Sequence, residues 1–146
     1  MYKHILIATD GSELAGRALA HGLALAKELN APVTVVTVTQ PWSAPEMALF
    51  SAGKANLDPV RQFEDMAAAS AKVILDAAAQ NAGVTCEFVH IPDQHPAEGI
   101  IAIAEQKSCD LIVMASHGRR AVKRLLLGSQ VNEVLVHSKV PALIVR

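Results

Sequence analysis

Short apolar runs that end at a polar residue or a proline recur five times along the chain. The first, Ile5-Leu6-Ile7-Ala8, has no polar position, which is typical of a strand buried on both faces of a sheet. The second is β-branched almost throughout, which also favours a strand. The predicted strands are Lys3–Asp10, Val33–Thr39, Thr85–Ile91, Leu111–Met114 and Pro141–Val145.

Between these strands, apolar residues recur at helical spacing. Ser12 is a predicted N-cap of the first helix, and Asp58-Pro59 opens the second in the order cap, then proline. Pro96 and Gly128-Ser129 mark the starts of two more helices. The inward-facing residues are predicted to be Ala15, Leu19, Leu23, Ala26; Phe63, Ala67, Ile74, Ala78; Ile100, Ile103, Ala104; and Val131, Val134, Leu135. Residues 40–57 show no clear period and are predicted to be a long irregular connection, with Trp42 inside it.

Strands that alternate with helices predict an α/β fold with a mostly parallel sheet and helices on both faces. No repeat, low-complexity tract or linker divides the chain, so residues 1–146 are predicted to be a single domain. In such folds ligands bind at the carboxyl ends of the strands, where the strand order reverses.

Composition and charge disfavour some classes of function, in particular binding to nucleic acid or to a membrane. Hydrophobic residues make up 51% of the chain, and the formal net charge is −1, so no basic field favours nucleic acid or an anionic membrane. The chain shows neither a signal-peptide pattern nor an apolar run of the ~20 residues that span a bilayer, and we expect a cytoplasmic protein. Cys86 and Cys109 are far apart and are interpreted as reduced thiols.

The segment from Met114 to Gln130 carries the candidate chemistry. A strand ends, Gly118 permits a tight turn, basic residues follow, and Gly128-Ser129 opens a helix. Unpaired amides at a helix start bind anions such as phosphate. Neither standard phosphate-binding fingerprint is present. A turn glycine followed by an ordinary helix cap therefore remains an open alternative.

The residues of this segment also resemble a known family. Ala115, two residues, Gly118, nine residues and then Gly128-Ser129 follow the spacing of the ATP-binding branch of the universal stress protein family, in which the first position is glycine. Further similarity lies in the opening residues 5–12, the strand 110–113, the run 124–129 and the closing residues 140–145. The chain is identified by these motifs as a member of that family.

The resemblance implies a five-stranded parallel sheet of the Rossmann-like, adenine nucleotide alpha hydrolase-like type, with ATP in a cleft between the first and fourth strands. Mg²⁺ is expected to accompany the phosphates, without a separate metal site on the protein. A homodimer through Pro141–Val145 is also implied. The site residues carried over are Ala8, Thr9, Asp10, Val38, Met114, Ala115, His117, Gly118, Arg119, Gly128, Ser129 and Gln130.

Several alternatives stand beside this interpretation. If the position of Ala115 requires a positive φ, its methyl group costs roughly 1–2 kcal/mol. Asp10 is either a ligand contact or a carboxylate that caps the next helix, and His117 is either a phosphate contact or a loop histidine bonded to backbone. The competing functions are a slow ATP hydrolase that uses Asp10 or His117, and a stress-response interaction protein that binds no nucleotide.

Overall fold

The computed structural model describes residues 1–51, 58–80, 82–118 and 127–146. The predicted strands and helices are confirmed, with ends shifted by a few residues. The helices are α1 (Glu13–Leu29), α2 (Ala44–Ser51), α3 (Pro59–Ala79), α4 (Pro96–Gln106) and α5 (Ser129–His137). The strands are β1 (Ile5–Ala8), β2 (Val33–Val38), β3 (Cys86–Ile91), β4 (Leu111–Ala115) and β5 (Ala142–Val145).

The five strands form one sheet in the order β3-β2-β1-β4-β5, and every neighbouring pair is parallel. Strands β2 and β3 lie in succession on one side of β1, and β4 and β5 lie in succession on its other side. The strand order therefore reverses between β1 and β4, which is where α/β sheets bind ligands. The predicted α/β fold with a parallel sheet is confirmed.

Helices cover both faces, and successive residues of the central strand point to opposite sides. Leu6 and Ala8 pack in a core with residues of α4 and α5, whereas Ile5 and Ile7 pack in a second core with residues of α1 and α3. All four side chains are less than a tenth exposed. This two-sided burial explains why the strand sequence lacks alternation.

Ser12 and Asp58, the predicted caps of the first two predicted helices, are confirmed by their hydrogen bonds. The Ser12 hydroxyl accepts from the amide of Ala15 at 3.2 Å, and the Asp58 carboxylate accepts from the amide of Arg61 at 3.1 Å. These bonds satisfy amides that lack a partner inside the helix.

Two predictions are wrong in part: the irregular connection at residues 40–57 and the inward-facing position of Leu135. The connection predicted to be irregular contains α2, whose start is stabilised by a reciprocal pair of bonds between Ser43 and Glu46: the Ser43 amide donates to the Glu46 carboxylate at 2.8 Å, and the Glu46 amide donates to the Ser43 hydroxyl at 3.5 Å. Leu135 is 45% exposed, whereas Val131 and Val134 of the same helix are buried. Residues 52–57 of the connection lie outside the described part of the chain.

Candidate functional site

A cavity of about 530 Å³ opens at the carboxyl ends of β1, β2 and β4, at the point where the strand order reverses. Its size is within the range of small-molecule sites. Arg119 lies outside the described residues. Every other residue predicted for the site lines this cavity: Ala8, Thr9, Asp10, Val38, Met114, Ala115, His117, Gly118, Gly128, Ser129 and Gln130. Their contact with a nucleotide stays a prediction.

A tight turn after β1 fixes the carboxylate of Asp10. The Ser12 amide donates to Oδ1 of Asp10 at 2.9 Å, and the Gly11 amide donates to the Thr9 hydroxyl at 3.2 Å. Gly11 has a φ of 77°, a conformation that glycine adopts at no steric cost. Asp10 therefore does cap the following turn, as the alternative held, and the same bond orients its carboxylate beside the cavity.

Gly118 lies against that carboxylate. A Cβ atom added to Gly118 would be 2.7 Å from Oδ2 of Asp10, a separation that no ordinary non-bonded contact allows. A side chain at position 118 would therefore have to displace the Asp10 carboxylate. The predicted turn glycine and the carboxylate of the predicted site residue Asp10 are therefore neighbours.

Ala115 does not occupy a strained position. It is the last residue of β4, pairs with Val145 of β5, and is absent from the non-glycine residues of positive φ in the described chain. The possible backbone cost of the alanine therefore does not arise, because the strand conformation suits any L-residue. Ala115 is one of the residues that line the cavity.

The turn after β4 and the start of α5 are joined by backbone. The Gly128 amide donates to the carbonyl of Ser116 at 2.8 Å, so that amide already has a partner. Gly128 has an extended conformation, and its missing side chain matters for closeness, since an added Cβ would be 3.3 Å from the Cα of His117. The amides that point out of the helix end are those of Ser129, Gln130 and Val131, the first three residues of α5. Such amides favour an anion.

His117 and Gln130 make different contacts at this edge. Nδ1 of His117 is 3.2 Å from the hydroxyl of Ser116, which is a side-chain contact and not the backbone bond that the alternative proposed. The side-chain oxygen Oε1 of Gln130 accepts a hydrogen bond from the amide of Ala97 at 2.9 Å. Gln130 is therefore bonded to the start of α4 as well as lining the cavity.

Sequence reasoning missed part of the wall. The missed residues are Ala15, Val36, Thr37, Thr39, Gln40, Ala67, Ser70, Ala71, Ile74, Pro96, Ile100 and Val131. In α3, the spacing 67, 70, 71 and 74 places the residues on one helical face. This pattern predicts burial but does not distinguish a core residue from a residue that lines a cavity.

At the end of β2, the Thr39 hydroxyl is 2.8 Å from Nε2 of His90, and burial lowers the pKa of that histidine.

No group of three or more His, Cys, Asp or Glu side chains in residues 1–51, 58–80, 82–118 and 127–146 is arranged to hold a metal ion. No helix in the same ranges combines the length and the apolar composition that crossing a membrane requires.

The strand order and the cavity at its reversal define an α/β protein of the Rossmann-like class. The model of the universal stress protein family matches residues 1–146, and the chain belongs to that family. The predicted membership is confirmed.

Individual relatives support the same conclusion. Universal stress protein MJ0531 of Methanocaldococcus jannaschii is 32% identical over 146 residues, which cover 100% of this chain and 83% of the relative. The structure of MJ0577 from the same organism is similar at a TM-score of 0.81 and 28% identity, covering 99% of this chain and 96% of that one. A universal stress protein in complex with cAMP is similar at a TM-score of 0.72 and 25% identity, covering 99% and 97%.

Proposed function

We propose that this chain binds ATP in the cavity between β1 and β4 and acts as a nucleotide-dependent regulatory or protective homodimer in the cytoplasm. The observation that carries the proposal is the convergence of three features on one cavity: the turn that holds the Asp10 carboxylate, Gly118 packed against that carboxylate, and the first amides of α5. The complex of a similar universal stress protein with cAMP supports an adenine nucleotide as the ligand class.

The cavity suits the parts of an adenine nucleotide in order. Val38, Ala71 and Ile74 give an apolar region at the β2 end, where a flat base would lose contact with water. Asp10 lies toward the centre, where a carboxylate accepts hydrogen bonds from ribose hydroxyls. The start of α5 lies at the other end, where its dipole and amides stabilise phosphate charge.

Mg²⁺ is proposed to arrive with the nucleotide. This ion keeps several waters and is commonly bound by substrate phosphates with one or two carboxylates. Asp10 is a carboxylate on the cavity wall and is the residue that would hold the ion's water shell. When bound, the ion would neutralise phosphate charge. The protein's own residues would orient the base and the sugar.

The homodimer is proposed to form through the outer edge of β5. The carbonyls of Pro141 and Val145 accept from the amides of Ile112 and Ser116 in and beside β4. In a parallel ladder, the backbone groups of the intervening residues Ala142 and Ile144 point the other way, toward the sheet edge. An apolar edge strand of this kind is a ready surface for pairing with a second chain. The neighbouring helix α5 also exposes Val136, at 74%.

The proposed function is tested by identifying the ligand and measuring its affinity. We expect purified protein, once denatured, to release ATP that mass spectrometry detects, and isothermal titration of stripped protein with Mg-ATP to show saturable binding. Gly128→Val should weaken that binding, because the added side chain would displace the backbone of His117. Stripped protein that binds neither Mg-ATP nor a fluorescent analogue would exclude this function and favour an interaction protein without nucleotide. Steady phosphate release that disappears in Asp10→Ala would instead indicate a hydrolase.

A further inference from the structure

Two helices begin at the cavity, and one side chain joins them. Pro96 and Ala97 are the first residues of α4, and Gln130 is the second residue of α5. The main-chain N–H of Ala97 is a hydrogen-bond donor. The atom of the Gln130 carboxamide that faces this N–H is therefore the oxygen, which is an acceptor. The distance between these two atoms is 2.9 Å.

The Ala97 amide depends on that bond. It is one of the first amides of α4, which have no carbonyl partner within the helix. Ala97 is only 4% exposed, so water is a poor substitute for the glutamine oxygen. Leaving a buried amide without a partner costs more than a typical hydrogen bond contributes.

The start of α4 in turn sets the β2 end of the cavity. Pro96 and Ile100 line the cavity directly. Gly99 is packed so closely on Val38 that an added Cβ would be 3.2 Å from a methyl carbon of the valine. A shift of α4 would therefore move the wall that is proposed to contact the base.

We propose that Gln130 is a positioning residue that couples the two ends of the site. Its oxygen holds α4, and with it the base-contacting wall, in register with the phosphate-binding start of α5. This inference rests on the proposed function and extends it, because it assigns to a residue at the phosphate end a role in binding the base.

The experiment compares two substitutions that differ in the atom facing Ala97. Gln130→Met keeps the shape and length of the side chain but removes the acceptor oxygen. Gln130→Glu keeps an acceptor oxygen and replaces the NH₂ group with a negatively charged oxygen. Gln106→Met is the matched control, since Gln106 is exposed at the opposite end of α4.

Affinities for adenosine and for Mg-ATP are measured on all four proteins by isothermal titration. Gln130→Met is expected to bind both ligands about tenfold more weakly, the effect of losing roughly one hydrogen bond. Gln130→Glu is expected to bind adenosine within about threefold of the wild type but Mg-ATP at least about tenfold more weakly, because its charge repels phosphate. Gln106→Met should match the wild type for both.

The outcomes separate the inference from the function on which it rests. If the wild type binds neither ligand, the proposed function fails and the positioning role fails with it. If Gln130→Met loses affinity for Mg-ATP but not for adenosine, Gln130 is a phosphate contact and the positioning role is wrong. If Gln130→Glu loses adenosine as Gln130→Met does, the acceptor oxygen is not what matters, and the inference is likewise overturned. Adenosine binding that is lost in Gln130→Met and kept in Gln130→Glu is the result that supports it.

Discussion

The main-chain amide of Gly128 donates a hydrogen bond to the carbonyl oxygen of Ser116, with 2.8 Å between nitrogen and oxygen. This bond brings the start of α5 next to the residue that follows β4, although eleven residues separate the two in sequence. The edge of the cavity is therefore set by a backbone contact between the residue that directly follows β4 and the residue that directly precedes α5.

Gly118→Ala tests the close approach to Asp10. The added methyl carbon would be 2.7 Å from Oδ2 of Asp10, so the carboxylate must move away. We expect Mg-ATP affinity to fall by about tenfold, equivalent to about 1.4 kcal/mol, as measured by isothermal titration. Gly16→Ala is the matched control: nothing lies within 4 Å of its added Cβ, and it should stabilise α1 by roughly 0.5–1 kcal/mol with affinity unchanged. Equal Mg-ATP affinity in the two variants would show that the closeness of Gly118 to Asp10 has no effect on binding.

Ala115→Gly restores the glycine of the family motif. Because Ala115 is in an extended strand, glycine offers no conformational advantage there and is expected to lower the free energy of unfolding by roughly 0.5–1 kcal/mol. Mg-ATP affinity should stay within about threefold of the wild type. Denaturant unfolding and titration calorimetry measure the two effects. An affinity gain well beyond threefold would mean that the alanine methyl group obstructs the ligand.

Asp110 joins the start of β1 to the start of β4, at the end of the sheet far from the cavity. Its carboxylate accepts from the amides of Lys3 at 2.8 Å and His4 at 3.0 Å. Desolvation raises the pKa of Asp110, but these backbone bonds outweigh it and hold the pKa below its ordinary value.

A depressed carboxylate pKa gives stability that is present above the unfolded-state value of about 3.9 and is lost as the pH falls through the folded-state value. Asp110→Asn should therefore unfold more easily than the wild type at pH 7. The difference should shrink as the pH falls below about 4, which thermal unfolding over a pH series measures. A difference that is constant with pH would show that the charge of Asp110 has no part in stability.

Cys109 is predicted to be unreactive in the folded protein. Burial raises the pKa of its thiol to about 11, with a hydrogen bond to Thr34 opposing the shift, and the residue is 4% exposed. The thiolate is the nucleophile, so little of the reactive form exists at pH 8. In a Cys86→Ser variant, a disulfide reagent should label Cys109 slowly until guanidinium chloride is added. Rapid labelling of the native variant would contradict the burial of Cys109.

The raised pKa of the Cys109 thiol in the folded state also predicts a pH dependence of stability. The fold should lose stability as the pH rises from about 9 toward 11.

Ala142→Pro tests the proposed homodimer. The amide of Ala142 points to the outer edge of β5, and proline removes that donor without removing a bond to β4. Sedimentation velocity should show a dimer for the wild type and a shift toward monomer for the variant. A wild-type monomer would exclude the dimer, and a variant that dimerises equally well would place its interface elsewhere.

Local patterns in the sequence were sufficient to predict most of the helices and strands. Continuous apolar runs such as 5–8 and 111–114 mark strands covered on both faces, because such strands cannot present a polar side to water. Ser12 and Asp58 marked helix starts for the equally local reason that their side chains accept hydrogen bonds from amides three residues further along the chain. Within the described residues, α2 is the helix that the sequence analysis missed. It also starts from a local pair, Ser43 with Glu46, but two prolines and the lack of an apolar period obscured it.

The sequence by itself determined the class of fold and the family, because strand burial, helix capping and motif spacing are properties of neighbouring residues. Only the tertiary structure decided which residues meet across the sheet. The approach of Gly118 to Asp10, the bond from Ala97 to Gln130 and the α3 wall of the cavity all join segments distant in sequence. Such contacts depend on strand order and on which helix faces meet. Periodicity in the chain indicates which residues are buried but not which of them contact one another.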